Sequence, residues 1–162
     1  MSDVLELWTE ALVNAVSLLQ HGIFALFDAN VRVLEGPVPP LLPGAWVSYV
    51  GDRIAVDFAL LGEEATLVGL TGAFTGTPDP SELAVTDAVV EIANILGGLA
   101  KRRLARLDPT LRTGLPKFLF GAAVRIPRSR ESILEVGTVA GPVVLAAMVA
   151  RDTNLVLEEA RR

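Results

Sequence analysis

Thr86 to Lys101, TDAVVEIANILGGLAK, is the stretch around which the other segments arrange themselves. At about 100° per residue, a helix here puts Val85, Val89, Ile92, Leu96 and Leu99 on one stripe. Asp87, Glu91, Asn94 and Gly98 fall on the opposite stripe. One face is suited to burial. The other offers two carboxylates, an amide and a bare patch of backbone. The remaining chain reads as a platform that holds this helix with its polar face outward.

The helix has its own start and stop. In Asp79-Pro80-Ser81-Glu82, Asp79 suits a cap, Pro80 suits the first helical position, and Glu82 stands where a capping box places its acid. Asp108-Pro109 ends it after about Leu107, which makes roughly 27 residues and some 40 Å. Upstream, Leu5, Trp8, Leu12, Ala15 and Leu19 mark an amphipathic helix over Val4–Gln20, with Ser2 or Asp3 as cap and Gly22 as its break. A weak repeat relates the two. Shifted by 77 positions, Thr9-Glu10-Ala11 falls on Thr86-Asp87-Ala88, Asn14 on Glu91 and Ser17 on Asn94.

The intervening segments read as extended chain. Ile23 to Leu34 is ambiguous, with Val31, Val33 and Glu35 favouring a strand, and the prolines of Gly36 to Gly44 make a loop or edge. Ala45–Val50 and Arg53–Leu61 form a hairpin about Gly51-Asp52. A short helix follows over Glu63–Leu70, ended by Gly69 and Gly72. After the long helix, strands are expected over Leu115–Phe120, Ala123–Ile126, Ile133–Val139 and Val143–Val149, with turns at Gly121, Pro127 to Glu131 and Gly141-Pro142. Asp152 to Arg162 reads as a short polar helix.

Composition narrows the chemistry. The chain has 162 residues, 51% of them hydrophobic, which is enough for one cored domain and too apolar for disorder. It lacks cysteine, so thiolate nucleophiles, thiolate metal sites and disulfides are excluded. The one histidine, His21, reads as a helix-end residue. A net charge of -5 argues against bulk nucleic-acid binding, although Lys101, Arg102, Arg103 and Arg106 cluster at the end of the long helix. That cluster suits the helix dipole or an acidic partner. The longest apolar run, Val136 to Ala150, is interrupted by Gly-Pro and is shorter than the roughly 18 residues of a membrane span. With Asp3 and Glu6 in place of a basic leader, a cytoplasmic protein with no membrane span is the expectation.

Catalytic motifs are few. Gly69 to Gly76, GLTGAFTG, lacks the lysine of a phosphate cradle, and its glycines read as turn residues. GxSxG, HExxH and calcium-loop patterns are absent. Glu91 and Asn94, three apart, point the same way. A carboxylate and an amide without metal or nucleophile can hold water in line with an electrophile that brings its own charge neutralisation. A solvated polar face is the alternative. Gly98 costs roughly 1 kcal/mol of helix propensity, which suggests close approach by a packed neighbour or by a partner.

The order and spacing of these residues resemble the CheC/CheX/FliY phosphatases of bacterial chemotaxis, most closely the CheX branch. The resemblance rests on Asp87, Glu91, Asn94, Gly98, Ala100 and Lys101, followed by Leu115-Pro116 and Gly121, and on the segment Gly51 to Gly76 upstream. It implies an α+β fold of two long helices on an antiparallel sheet over residues 1–151, with 152–162 as a tail. It implies hydrolysis of the aspartyl-phosphate of a CheY-like response regulator in two-component signalling. Glu91 would pair with a lysine of the regulator and Asn94 would place the water. Asp87, Gly98, Lys101 and Arg102 would meet the partner. The chain would bind no cofactor or metal, Mg2+ being supplied by the regulator. Relatives of this kind pair through their sheets as homodimers with one active helix per chain, in keeping with a degenerate first copy. The sequence departs from the family at Leu99, where asparagine is frequent. A receiver-binding or scaffold module of the same fold without hydrolysis is the second expectation.

Overall fold

The computed structural model describes residues 3–20, 25–36, 42–121 and 129–150. Among these residues three helices, α1 (Val4–Gln20), α2 (Glu64–Thr75) and α3 (Glu82–Leu104), pack on one antiparallel sheet. Its strands are β1 (Phe27–Leu34), β2 (Gly44–Val50), β3 (Ala55–Leu61), β4 (Arg112–Thr113), β5 (Lys117–Leu119), β6 (Ser129–Thr138) and β7 (Gly141–Ala150). Their order is β1-β6-β7-β3-β2-β4, with β5 also on β2. The expected α+β class is therefore observed.

The sheet order gives the weak repeat a structural meaning. Helix, strand and hairpin occur as α1-β1-β2-β3 and again as α3-β5-β6-β7. The β3·β7 pair joins the halves, and each half's first strand completes the other half's hairpin: β1 pairs β6, and β5 pairs β2.

Strand alternation divides the apolar residues between the sheet's two faces. Val56, Phe58 and Leu60 of β3 and Val143, Leu145, Ala147 and Val149 of β7 join the helices in the main core. Ala59, Leu61, Ile133, Val144, Ala146 and Met148 form a second cluster on the opposite face. Trp8 of α1 meets Tyr49 of β2 at 5.1 Å and Phe58 of β3 at 6.2 Å between ring centroids, which seats α1 on the centre of the sheet. Thr9 binds Ser132 of β6 at 2.7 Å.

α1 keeps its expected bounds. The Asp3 carboxylate accepts from Leu5 N at 3.4 Å, while Glu6 accepts from Asp3 N at 3.2 Å. α3 begins later than expected. Ser81, not Asp79, is its cap and accepts from Ala84 N at 3.2 Å, leaving Pro80 outside. It also ends earlier, at Leu104, whose carbonyl accepts from Leu107 N and Asp108 N as the chain turns away.

Other boundaries are corrected. The β2–β3 loop spans 51–54 and Arg53 is not in the strand, because the Asp108 carboxylate takes the Arg53 and Ile54 N–H groups. α2 runs past Gly69 and Gly72 to Thr75. Gly69 lies against Ala140, and only Gly76, at φ 72°, supplies a left-handed end. Gly141-Pro142 opens β7 instead of turning. The turn is Val139-Ala140, Thr138 Oγ1 accepts from Ala140 N, and proline is tolerated at a strand's start. β6 already begins at Ser129, inside the expected turn, and β5 is confined to Lys117–Leu119. The expectations for His21, Gly22, most of the proline segment, the Ala123–Ile126 strand and the 152–162 tail lie outside the described residues.

By length and composition α3 is the one helix among the described residues apolar enough to cross a membrane. Here its apolar side is packed on the sheet. The Val136–Ala150 run is divided between β6, a turn and β7.

Candidate functional site on helix α3

Val85, Val89, Ile92 and Leu96 are buried, as the stripe requires, while Leu99 is only partly buried at the edge of the core. A second buried line runs Ala93, Gly97, Ala100, Leu104. It is this line of small residues that lets α3 approach β2. A Cβ at Gly97 would overlap the Tyr49 hydroxyl and lie 3.1 Å from Phe58. Sequence reasoning passed over Gly97, although small residues at positions 93, 97 and 100 were visible as a possible close-packing signal.

The outward stripe is placed as expected. Asp87 and Glu91 are exposed, Asn94 and Gly98 are half-buried, and Arg102 is exposed. Glu91 and Asn94 lie on one face with Cβ atoms about 5–6 Å apart by helix geometry. Among the described residues, neither makes a hydrogen bond or ion pair, so both polar ends are available. Gly98 resolves the alternative left by the sequence. A Cβ added there meets nothing within 4 Å, so no neighbour among the described residues requires the glycine.

Lys101 is half-buried, and its ammonium donates to Thr113 Oγ1 at 3.1 Å, which ties α3 to the short edge strand β4. Arg103 reaches Glu10 of α1 at 3.5 Å. The predicted partner residues are therefore not equivalent: among the described residues, Lys101 has an intramolecular partner and Arg102 does not.

The site lies on the outward side of α3. Cavities of about 630 Å3 beside α1 and β6, about 480 Å3 beside β1 and the β6–β7 turn, and about 390 Å3 between α2, α3 and β5 are lined by other residues. Groups of three or more histidine, aspartate or glutamate residues able to hold a metal are absent among the described residues. On its own the face can present a carboxylate, an amide and bare backbone to a macromolecular surface. Below α3, Asp108 anchors the platform. Burial pushes its carboxyl pKa up, but donors from Thr110, Arg53 and Ile54 outweigh that and hold it below the ordinary value.

These features define an α+β protein that exposes a carboxylate–amide helix on an antiparallel sheet. No family model and no curated protein matches the chain. Solved structures do, and the fold is that of CheX, CheC-like and FliY chemotaxis proteins. CheX from Desulfovibrio desulfuricans matches with a TM-score of 0.69 at 15% identity, covering 88% of this chain and 98% of that one. The CheX–CheY–BeF3–Mg2+ complex from Borrelia burgdorferi matches with a TM-score of 0.69 at 12% identity, covering 88% and 96%. FliY from Thermotoga maritima matches with a TM-score of 0.61 at 16% identity, covering 91% and 88%.

Proposed function

We propose that this chain is a phosphatase for the aspartyl-phosphate of a CheY-like response regulator. One observation carries the reading: among the described residues, Glu91 and Asn94 stand unpaired on an outward helix face beside a glycine that no neighbour requires. The Asn94 amide orients a water in line with the phosphorus. The water oxygen bonds to phosphorus as the bond to the aspartyl oxygen breaks, releasing inorganic phosphate and a free carboxylate. Glu91 pairs with a lysine of the regulator. Mg2+ belongs to the regulator and neutralises the phosphoryl oxygens, which leaves this chain the task of positioning. The protein works in the cytoplasm as a homodimer with one active helix per chain.

The test is phosphate release from phosphorylated CheY-like receivers of the source organism. Asn94→Ala is expected to abolish the stimulated loss while the fold survives. Full activity in that variant would refute the mechanism. A second reading, receiver binding without hydrolysis, is favoured by Leu99 beside the site. Retention of phosphoreceiver with an unchanged phosphate half-life would support it. Sedimentation as a stable monomer would count against the homodimer.

A further inference from the structure

The basic end of α3 has a structural account for only part of its charge. The helix dipole favours Lys101, Arg102 and Arg103 in the last turn. Lys101 is held by Thr113 and Arg103 reaches Glu10. Arg102 and Arg106 are exposed and, among the described residues, make no hydrogen bond or ion pair. Arg106 lies beyond the last helical residue, Leu104. With Arg103 and Leu99 they line a dent of about 300 Å3. In a chain of net charge -5, unneutralised guanidinia around one dent are positioned for an outside anion.

Position relative to the site narrows the occupant. Arg102 is eight residues beyond Asn94, about 12 Å along the axis. A partner burying about 800 Å2 on this chain covers a disc of roughly 16 Å radius. A surface centred on Asn94 therefore reaches Arg102, on the near side of the dent.

We infer that Arg102 and Arg106 dock an acidic surface patch of the phosphorylated receiver and set its orientation on α3. This rests on the phosphatase reading and adds the chemistry of the partner's contact surface. Rim charges act chiefly on encounter, and the overall negative charge of the chain makes the patch the attractive end of the stripe for an acidic protein.

The experiment compares wild type, Asn94→Ala, the double variant Arg102→Glu/Arg106→Glu and the charge-keeping Arg102→Lys/Arg106→Lys. Each is assayed with purified phosphorylated receivers across a salt series, with thermal unfolding as the fold control. In the glutamate variant the second-order rate constant is expected to fall on the order of tenfold or more at low salt, with the loss fading towards about 0.5 M salt, where screening is short-ranged. The lysine variant retains most of the rate. Full activity of Asn94→Ala defeats the phosphatase reading. An inactive Asn94→Ala beside a glutamate variant with wild-type rate and salt dependence overturns the docking inference alone. Binding of anionic vesicles or duplex DNA that is lost in the glutamate variant, with receivers unaffected, also overturns it. So does a wild type that neither binds nor dephosphorylates any receiver.

Discussion

The Tyr49 hydroxyl lies directly beneath Gly97, in the space that a side chain at 97 would occupy. A tyrosine of β2 thus sets the height of the helix that carries Glu91 and Asn94. Gly97→Ala forces the two elements apart and is expected to destabilise the fold by about 1–3 kcal/mol. A denaturant titration with two independent probes checks this. An unchanged midpoint would show that α3 does not rest on Tyr49.

The same hydroxyl is buried and, among the described residues, has no hydrogen-bond partner. Burial pushes its pKa well above the ordinary tyrosine value, so it stays neutral. Tyr49→Phe removes an unsatisfied polar atom without leaving another. Stability is expected to hold or to rise by about 1 kcal/mol. A loss of similar size, read by thermal unfolding, would reveal a partner for the hydroxyl.

Gly98 should behave in the opposite way from its neighbour. Alanine fits there without contact and gains up to about 1 kcal/mol of helix propensity. The added methyl nevertheless stands between α3 and anything that docks on the stripe. Gly98→Ala is therefore expected to be more stable than wild type and to dephosphorylate receivers about tenfold to hundredfold more slowly. Equal activity would mean that no partner backbone approaches Gly98.

Asp108 gives the fold a pH dependence. Its carboxylate binds four donors from Arg53, Ile54 and Thr110 at 2.6–3.1 Å. The folded pKa lies below the unfolded value. The contribution is therefore fully present above the unfolded pKa of about 4 and lost as pH falls through the folded value. Asp108→Ala is expected to cost on the order of 3 kcal/mol at neutral pH. The gap between wild type and variant should narrow in urea titrations below about pH 4. A gap independent of pH would assign the loss to packing alone.

Helix α1 was legible because Leu5, Trp8 and Leu12 repeat at helical spacing, and the outward stripe of α3 because Asp87, Glu91, Asn94 and Gly98 do the same. Both signals are local. What escaped depends on partners distant in sequence. Asp79-Pro80 reads locally as the start, whereas the cap is Ser81, whose Oγ accepts from Ala84 N. Asp108 read as a helix stop, but its larger role is with a loop some 55 positions upstream. Gly69 and Gly72 looked like breaks because nothing in the sequence shows Ala140 lying against α2. Gly98 could be singled out, yet its meaning required knowing that the space beside it is empty. Tyr49 gave no hint that it would meet Gly97.

The exchange of outer strands between the two halves bears on how the chain acquires its structure. Among the described residues β1 pairs only with β6, and β5 only with β2, so an isolated half would leave a strand unpaired. Neither half is a self-sufficient folding unit. The sheet closes only once contacts between distant parts of the sequence have formed, so folding should be cooperative and limited by topology. A chain nicked between α2 and α3 should yield two fragments that are each unstructured and that regain order on mixing, each acting as template for the other.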